Sequence, residues 1–427
     1  MKALHETLQR GLGLLDRFPV GRRFDPAREP IGLLQRWYAA QPIQRVIVTT
    51  IELDQAVEDP ALASALRALC GHHPHALGVC LARSTHELSM RPMTPQDPLP
   101  LYVPPEPMSD VWALAEQIVH VPFEAGSPLL RVARAGRGKQ LVCAFDHIMF
   151  DGISAAALAC ALARTLAGTQ PTAAEPDAWL PLDARLDLRP TAAQIVKALS
   201  PRPAPVLPPF PQQPAVQQTR IAPCEIDSTD IARLRARAHR SGVTLHAALS
   251  AFALLSAAEA LGIEHGSLRL HTPISLRSRC RPEPRGFGVY IAGVDSDLEV
   301  SPLTDPWQLA RQYADELARE KPNAPGQLGL LALAGDLRER ARELENRQHG
   351  RTAALEVSNV GQLLDVPHGT AIWVTQGAHY HAPLFVLTVV ETAGVVRACL
   401  STPHPLISTE QANRFVRSFA ERLSVTP

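Results

Sequence analysis

The stretch Leu141-Val-Cys-Ala-Phe-Asp146-His147-Ile-Met-Phe-Asp151-Gly152 runs from apolar residues into a histidine and then into a loop closed by aspartate and glycine. Side chains alternate along an extended strand, so Leu141, Cys143, Phe145 and His147 share one face and Asp146 takes the other. An imidazole held at a strand end, beside apolar walls, can be neutral near pH 7 and so accept a proton, which suits a general base. Asp151 can tie the loop down through a charge-assisted bond, and Gly152 admits a close backbone approach. The competing reading of His147 is a hydrogen-bonded core histidine. Cys143 is a core residue, because four residues of strand, ~13 Å, keep it from sharing a proton with His147.

Outward from this segment, Leu129–Arg134 and Leu141–Asp146 read as two strands joined by the turn-rich Ala-Gly-Arg-Gly-Lys-Gln. Helices are predicted over Pro60–Leu69, from Ser109 through Ile118, and over Ser154–Ala167 with Gly168 as the stop. Between Pro201 and Pro214 seven of fourteen residues are proline, a stiff connector that marks a lobe boundary. The division is a first lobe over 1–185, a linker over 186–220 and a second lobe over 221–427. Beyond it, Asp227 or Ser228 caps a helix ending at Gly242, and Thr244 opens an apolar helix to Leu261 with Gly262 behind. Leu268–Leu276 alternates as a strand, Thr304-Asp305-Pro306 starts a helix, Leu384–Leu400 holds two strands around Gly394, and Gln411–Leu423 is an amphipathic helix. Each lobe is therefore a layered α/β or α+β unit.

The 427 residues set 42 Lys+Arg against 42 Asp+Glu, and 46% are hydrophobic. A chain of this length forms two or three units at roughly 100–200 residues each. Zero formal charge removes the electrostatic case for nucleic acid or an anionic membrane. The seven cysteines are scattered without a C-x-x-C pair, which argues against a disulfide framework or zinc knuckle. Met1–Leu15 spaces Leu4, Leu8, Leu12 and Leu15 helically but interrupts them with His5, Glu6 and Arg10, unlike a secretory signal. No run reaches the ~18 apolar residues of a membrane span, so a cytoplasmic protein is expected.

Asp146-His147-Ile-Met-Phe-Asp151-Gly152 resembles the H-H-x-x-x-D-G signature of the condensation-domain and acyltransferase superfamily. That superfamily includes chloramphenicol acetyltransferase, plant-type acyltransferases, wax ester synthases and phthiocerol/phthiodiolone dimycocerosyl transferase. Further landmarks follow the order of the free-standing acyltransferases. They are Ala65–Leu69 with His73-Pro74, Pro122-Phe123 with Pro128–Arg131, Val243–His246, Leu276–Arg279, Gly286–Gly288 and Ser358–Gly361. Asp146 stands where the family has its first histidine, while His147 retains the second, the family's catalytic base.

The resemblance implies two chloramphenicol acetyltransferase-like lobes, each a mixed sheet packed with helices, with a tunnel between them and His147 midway. It implies transfer of an acyl group from a coenzyme A or carrier-protein thioester to a hydroxyl, with no metal and no permanently bound cofactor, by a monomer. Asp146, Asp151, Gly152, Arg277 and Arg279 would support the loop, either arginine pairing with Asp151. Ser358 and Asn359 are candidates for oxyanion contacts or, equally, local turn residues. Two rivals stand: an amide-forming condensation enzyme, and a catalytically silent carrier-protein-binding homologue, which the Asp146 replacement keeps open. Arg233, Arg235, Arg237 and Arg240 read as a docking patch or a solvated helix face, His72-His73 as a helix-end turn, and His379 and His381 as tunnel lining or surface.

Overall fold

A computed structural model describes residues 31–74, 77–83, 88–169, 180–199, 217–284, 286–333, 336–346, 351–378 and 383–424. Met1–Leu15, the proline-rich Pro201–Pro214, His379 and His381 lie outside the described residues. Within the expected linker, Ala192–Leu199 forms a helix and a strand begins at Gln218.

Twelve strands are numbered here in chain order among the described residues. They are β1 (Val46–Glu52), β2 (Val79–Arg83), β3 (Leu88–Arg91), β4 (Leu130–Ala135), β5 (Gln140–Asp146), β6 (Gln218–Ile226), β7 (Gly266–Ser275), β8 (Ile291–Val300), β9 (Leu355–Leu363), β10 (Ala371–Gln376), β11 (Phe385–Thr392) and β12 (Val395–His404). The first sheet has the order β10-β1-β5-β4 and the second β6-β12-β11-β9-β7-β8, with β2 and β3 a separate hairpin. The second sheet is mixed, because β9 runs parallel to both β11 and β7. The first corrects the expectation of a mixed sheet in each lobe, since its three strand-to-strand pairings are antiparallel and only a single bridge, Leu101 to Val132 of β4, is parallel among the described residues. The cause is connectivity: β4 and β5 are joined by a short turn, which permits only antiparallel pairing.

Nor do the sheets follow the chain division at 186–220. β10 belongs to the second segment yet forms the edge of the first sheet, Ile47 to Glu52 of β1 standing opposite Gln376 to Ala371. Its residues Ala371–Thr375 are buried throughout, so both faces of the strand are covered. The helix Gly152–Leu166 packs on β1, β9 and β10 together, which joins the lobes.

Leu245–Leu261 is apolar all round and buried over most of its length, as expected of a helix wrapped by other elements. It lies against the helices Pro306–Glu320 and Thr409–Ser424 and the second sheet. Thr244 Oγ1 accepts from the Ala247 N–H, and Gly262 closes the helix at φ +68°, a left-handed turn that glycine adopts without a Cβ penalty.

Candidate active site

β5 ends at Asp146, but the ladder extends one residue further: the His147 N–H donates to the Arg45 carbonyl at 2.9 Å. The imidazole then leaves the sheet and stacks on Tyr38 of the helix Leu33–Ala40, with centroids 4.4 Å apart and 23° between planes. Only 5% of His147 is exposed. Its Nδ1 is buried and makes no hydrogen bond among the described residues. Burial lowers the His147 pKa to about 4, with Arg45 acting in the same direction and the residue's own backbone, Asp151 and Asp146 opposing. Burial thus favours the uncharged form of the ring.

Asp146 is buried on the other side of the strand, where its carboxylate accepts from the Ile148 N–H at 3.1 Å. This bond holds the turn that follows His147. Asp151 is fully buried and caps the helix Gly152–Leu166 by accepting from the Ser154 N–H at 2.8 Å. The same carboxylate accepts from Arg277 Nη2 at 2.9 Å and from the Tyr290 N–H at 3.0 Å. Arg277 also donates to Ser154 Oγ at 2.7 Å and lies over the Tyr290 ring. Ser154 Oγ in turn donates to the Gly288 carbonyl, which also accepts from the Asp151 N–H. A single carboxylate thus joins the loop after His147 to the second half of the chain. Of the two arginines considered, Arg277 reaches Asp151 and Arg279 does not. Arg279 is exposed and donates instead to the Lys321 and Pro322 carbonyls.

A cavity of about 250 Å³ opens between the sheets beside His147. Tyr38, Arg45, His147 and Gly152 face it from one side, and His271, Glu356, Ser358 and Asn359 from the other. The β9–β11 register shifts between Val389 and Val390, so Val360 is an extra residue in β9. This bulge brings Val360 against Gly152, where a Cβ would meet Val360 Cγ2 at 3.3 Å. Asn359 Oδ1 accepts from the Gly361 N–H at 2.9 Å, the turn-residue role, while Ser358 stays half-buried on the cavity wall.

Sequence reasoning did not find Tyr38, Arg45, His271, Asp295 or Glu356. Tyr38 and Arg45 sit before β1, and only the pairing of β1 with β5 carries them to His147. Cys143 is buried near Thr49, with its thiol pushed up to about 12 by burial. His73 ends the helix Asp59–His72 and meets the Phe287 ring edge-on. Of the four arginines on the helix Ser228–Arg240, Arg233 pairs with Asp230, Arg235 with Glu391, and Arg237 lies over Trp307. Most of that row is spent on local contacts.

Comparison with known proteins places these features in a family context. Residues 215–426 match the family model for the phthiocerol/phthiodiolone dimycocerosyl transferase C-terminus. No curated protein matches the chain by sequence. Among solved structures, polyketide synthase associated protein 5 from Mycobacterium tuberculosis aligns with a TM-score of 0.65 at 17% identity, covering 94% of this chain and 98% of that one. The epimerization domain from the third module of tyrocidine synthetase B aligns at 0.63 and 13% identity, over 94% and 97%. The condensation domain of the Monacolin K polyketide synthase MokA aligns at 0.63 and 14%, over 93% and 97%. At such identities the likeness establishes the fold. Among the described residues no single helix is long and apolar enough to cross a membrane.

Proposed function

From a chain that has the two-lobed fold seen in condensation domains, and whose residues 215–426 match the family model for the dimycocerosyl transferase C-terminus, we propose an acyltransferase with His147 as general base. The carrying observation is a neutral imidazole, held by its backbone and Tyr38, facing a cavity between the sheets. An acceptor hydroxyl donates its proton to His147 as its oxygen attacks the carbonyl carbon of an acyl thioester. The tetrahedral intermediate collapses to an ester, and the thiol departs. The donor is a coenzyme A or carrier-protein thioester, and no permanently bound cofactor takes part.

Asp146 fits this scheme as a support residue, because its carboxylate is committed to the turn rather than to the cavity. Asp151 and Arg277 hold that turn from the far side. Ser358 is a candidate donor to the developing oxyanion, a contact that contributes about 3 kcal/mol in enzymes where it has been removed.

The test follows free thiol from an acyl thioester with alcohol and amine acceptors, for the full chain and for His147→Ala. The variant is expected to lose about 10²–10⁴-fold in turnover. Undiminished turnover would remove His147 from the chemistry. Absence of turnover in the parent with every donor would favour a silent carrier-binding role, and amide products without esters would transfer the scheme to amine acceptors.

A further inference from the structure

The register of the second sheet sets three ionisable side chains in one row. His271 of β7 stands opposite Asp295 of β8 and, across the parallel pairing, beside Glu356 of β9. Residues in register on adjacent strands project to the same face. His271 and Glu356 line the cavity that holds His147.

The His271 ring is fixed at both edges. Nδ1 lies 2.7 Å from Asp295 Oδ1, which sets its orientation and leaves Nε2 on the edge away from the carboxylate. On the other side the ring rests against the backbone of Gly293. A Cβ there would stand 2.3 Å from His271 Cε1 and 2.8 Å from Nε2, so a residue with any side chain would push the ring away. Glu356 Oε1 accepts from Gln376 at 2.6 Å, which continues the row onto β10 of the first sheet. Arg45 also lines the cavity, and its charge acts on both histidines.

The two imidazoles in this cavity are set in opposite directions. Burial alone would lower the His271 pKa, but the Asp295 bond and the charges of Asp295 and Glu356 outweigh it and raise the value, with Arg45 opposing. At His147 burial and Arg45 both lower it. Titratable groups pushed apart in one site divide into an acid and a base.

We propose, resting on the acyl-transfer reading above, that His271, oriented by Asp295, donates its Nε2 proton to the departing sulfur while His147 holds the proton taken from the acceptor. The acceptor oxygen forms the new C–O bond as its proton passes to His147. The carbonyl electron pair moves onto oxygen and returns as the C–S bond breaks, and sulfur takes the His271 proton. His147 then loses its proton to solvent and His271 regains one, so one thioester and one alcohol give one ester and one thiol. The chemical need is local: Leu34, Trp37 and Ile274 also line the cavity, and a bare thiolate among apolar side chains is poorly solvated.

Two donors with the same acyl group and different thiols test this. An S-alkyl thioester releases a basic thiolate that benefits from a proton, whereas an S-aryl thioester releases one that does not. With the full chain, His271→Gln is expected to lose on the order of 10²-fold in turnover of the alkyl donor, with aryl turnover near the parent's. Gly293→Ala keeps every ionisable group but displaces the ring, and should show the same donor-selective loss. Urea midpoints confirm that both variants fold. Equal losses with the two donors, or no loss with either, overturn the proposal. His147→Ala should lower both donors alike; its failure to do so would count against the base and not against a selective effect at His271.

Discussion

The four-stranded sheet delivers His147 at the end of a strand, with a stacked tyrosine and its own turn for neighbours. The six-stranded sheet delivers His271 in mid-strand, with a carboxylate on each side in register. A strand end leaves the ring's surroundings to packing, and here packing excludes water and keeps the imidazole neutral. A mid-strand position instead inherits its charge environment from adjacent strands, so register alone decides that His271 meets Asp295 and Glu356. The same residue type thereby acquires two opposite proton preferences around one cavity.

The comparison depends on the two walls being held face to face, which the Asp151–Arg277 pair does. Asp151→Ala should therefore have the largest effect, about 3–5 kcal/mol of destabilisation, because it strands a half-buried guanidinium and two N–H groups. Urea unfolding checks this, and a loss below ~1 kcal/mol would mean that other contacts hold the walls.

Acid sharpens the contrast. His147 has a folded pKa of about 4 against an unfolded value of 6.5, so between these the unfolded chain binds a proton that the native state excludes. Stability supplied by this group is complete above pH 6.5 and falls by about 3 kcal/mol as pH drops to 4. His147→Gln should flatten that fall in unfolding curves taken at pH 7 and 4.5. His271 runs the other way. Its raised pKa gives stability that is present below pH 6.5 and lost as pH rises through the folded value, so His271→Gln should weaken the protein most in acid. Slopes of the same sign in the two variants would break the contrast.

Smaller effects belong to the supports. Tyr38→Leu removes the ring stacked on His147 and should cost about 0.5–1.5 kcal/mol, with turnover falling further than stability implies because the base loses its platform. Gly152→Ala presses a methyl on Val360 across the bulge and should cost about 1 kcal/mol, measured as a shift in the urea midpoint.

Much of the first wall was legible in the sequence. Alternation through Leu141–Phe145 separates His147 from Asp146, and Asp151 reads as a loop anchor because a carboxylate there can take a charge-assisted bond; its role as cap of the helix Gly152–Leu166 came only from the structure. Arg277 was legible only as one of two strand-end arginines, since the turn Arg277–Arg279 sends one inward and the other to solvent. The second wall was not legible. The Asp295–His271–Glu356 row requires the register of three strands separated by long connections, and no local pattern encodes a parallel pairing between β7 and β9. β10 escaped for the same reason, because its partner β1 lies over three hundred residues upstream.

The placement of β10 bears on how the gene could be cut. A fragment ending at the proline-rich connector would lack this edge, and the apolar β1 would show open amides and carbonyls to any passing strand, a template for aggregation. A fragment beginning after the connector would carry Ala371–Gln376 with no host. The two pieces are thus obligate complements, and co-expression rather than separate purification is the route by which they would regain a working whole.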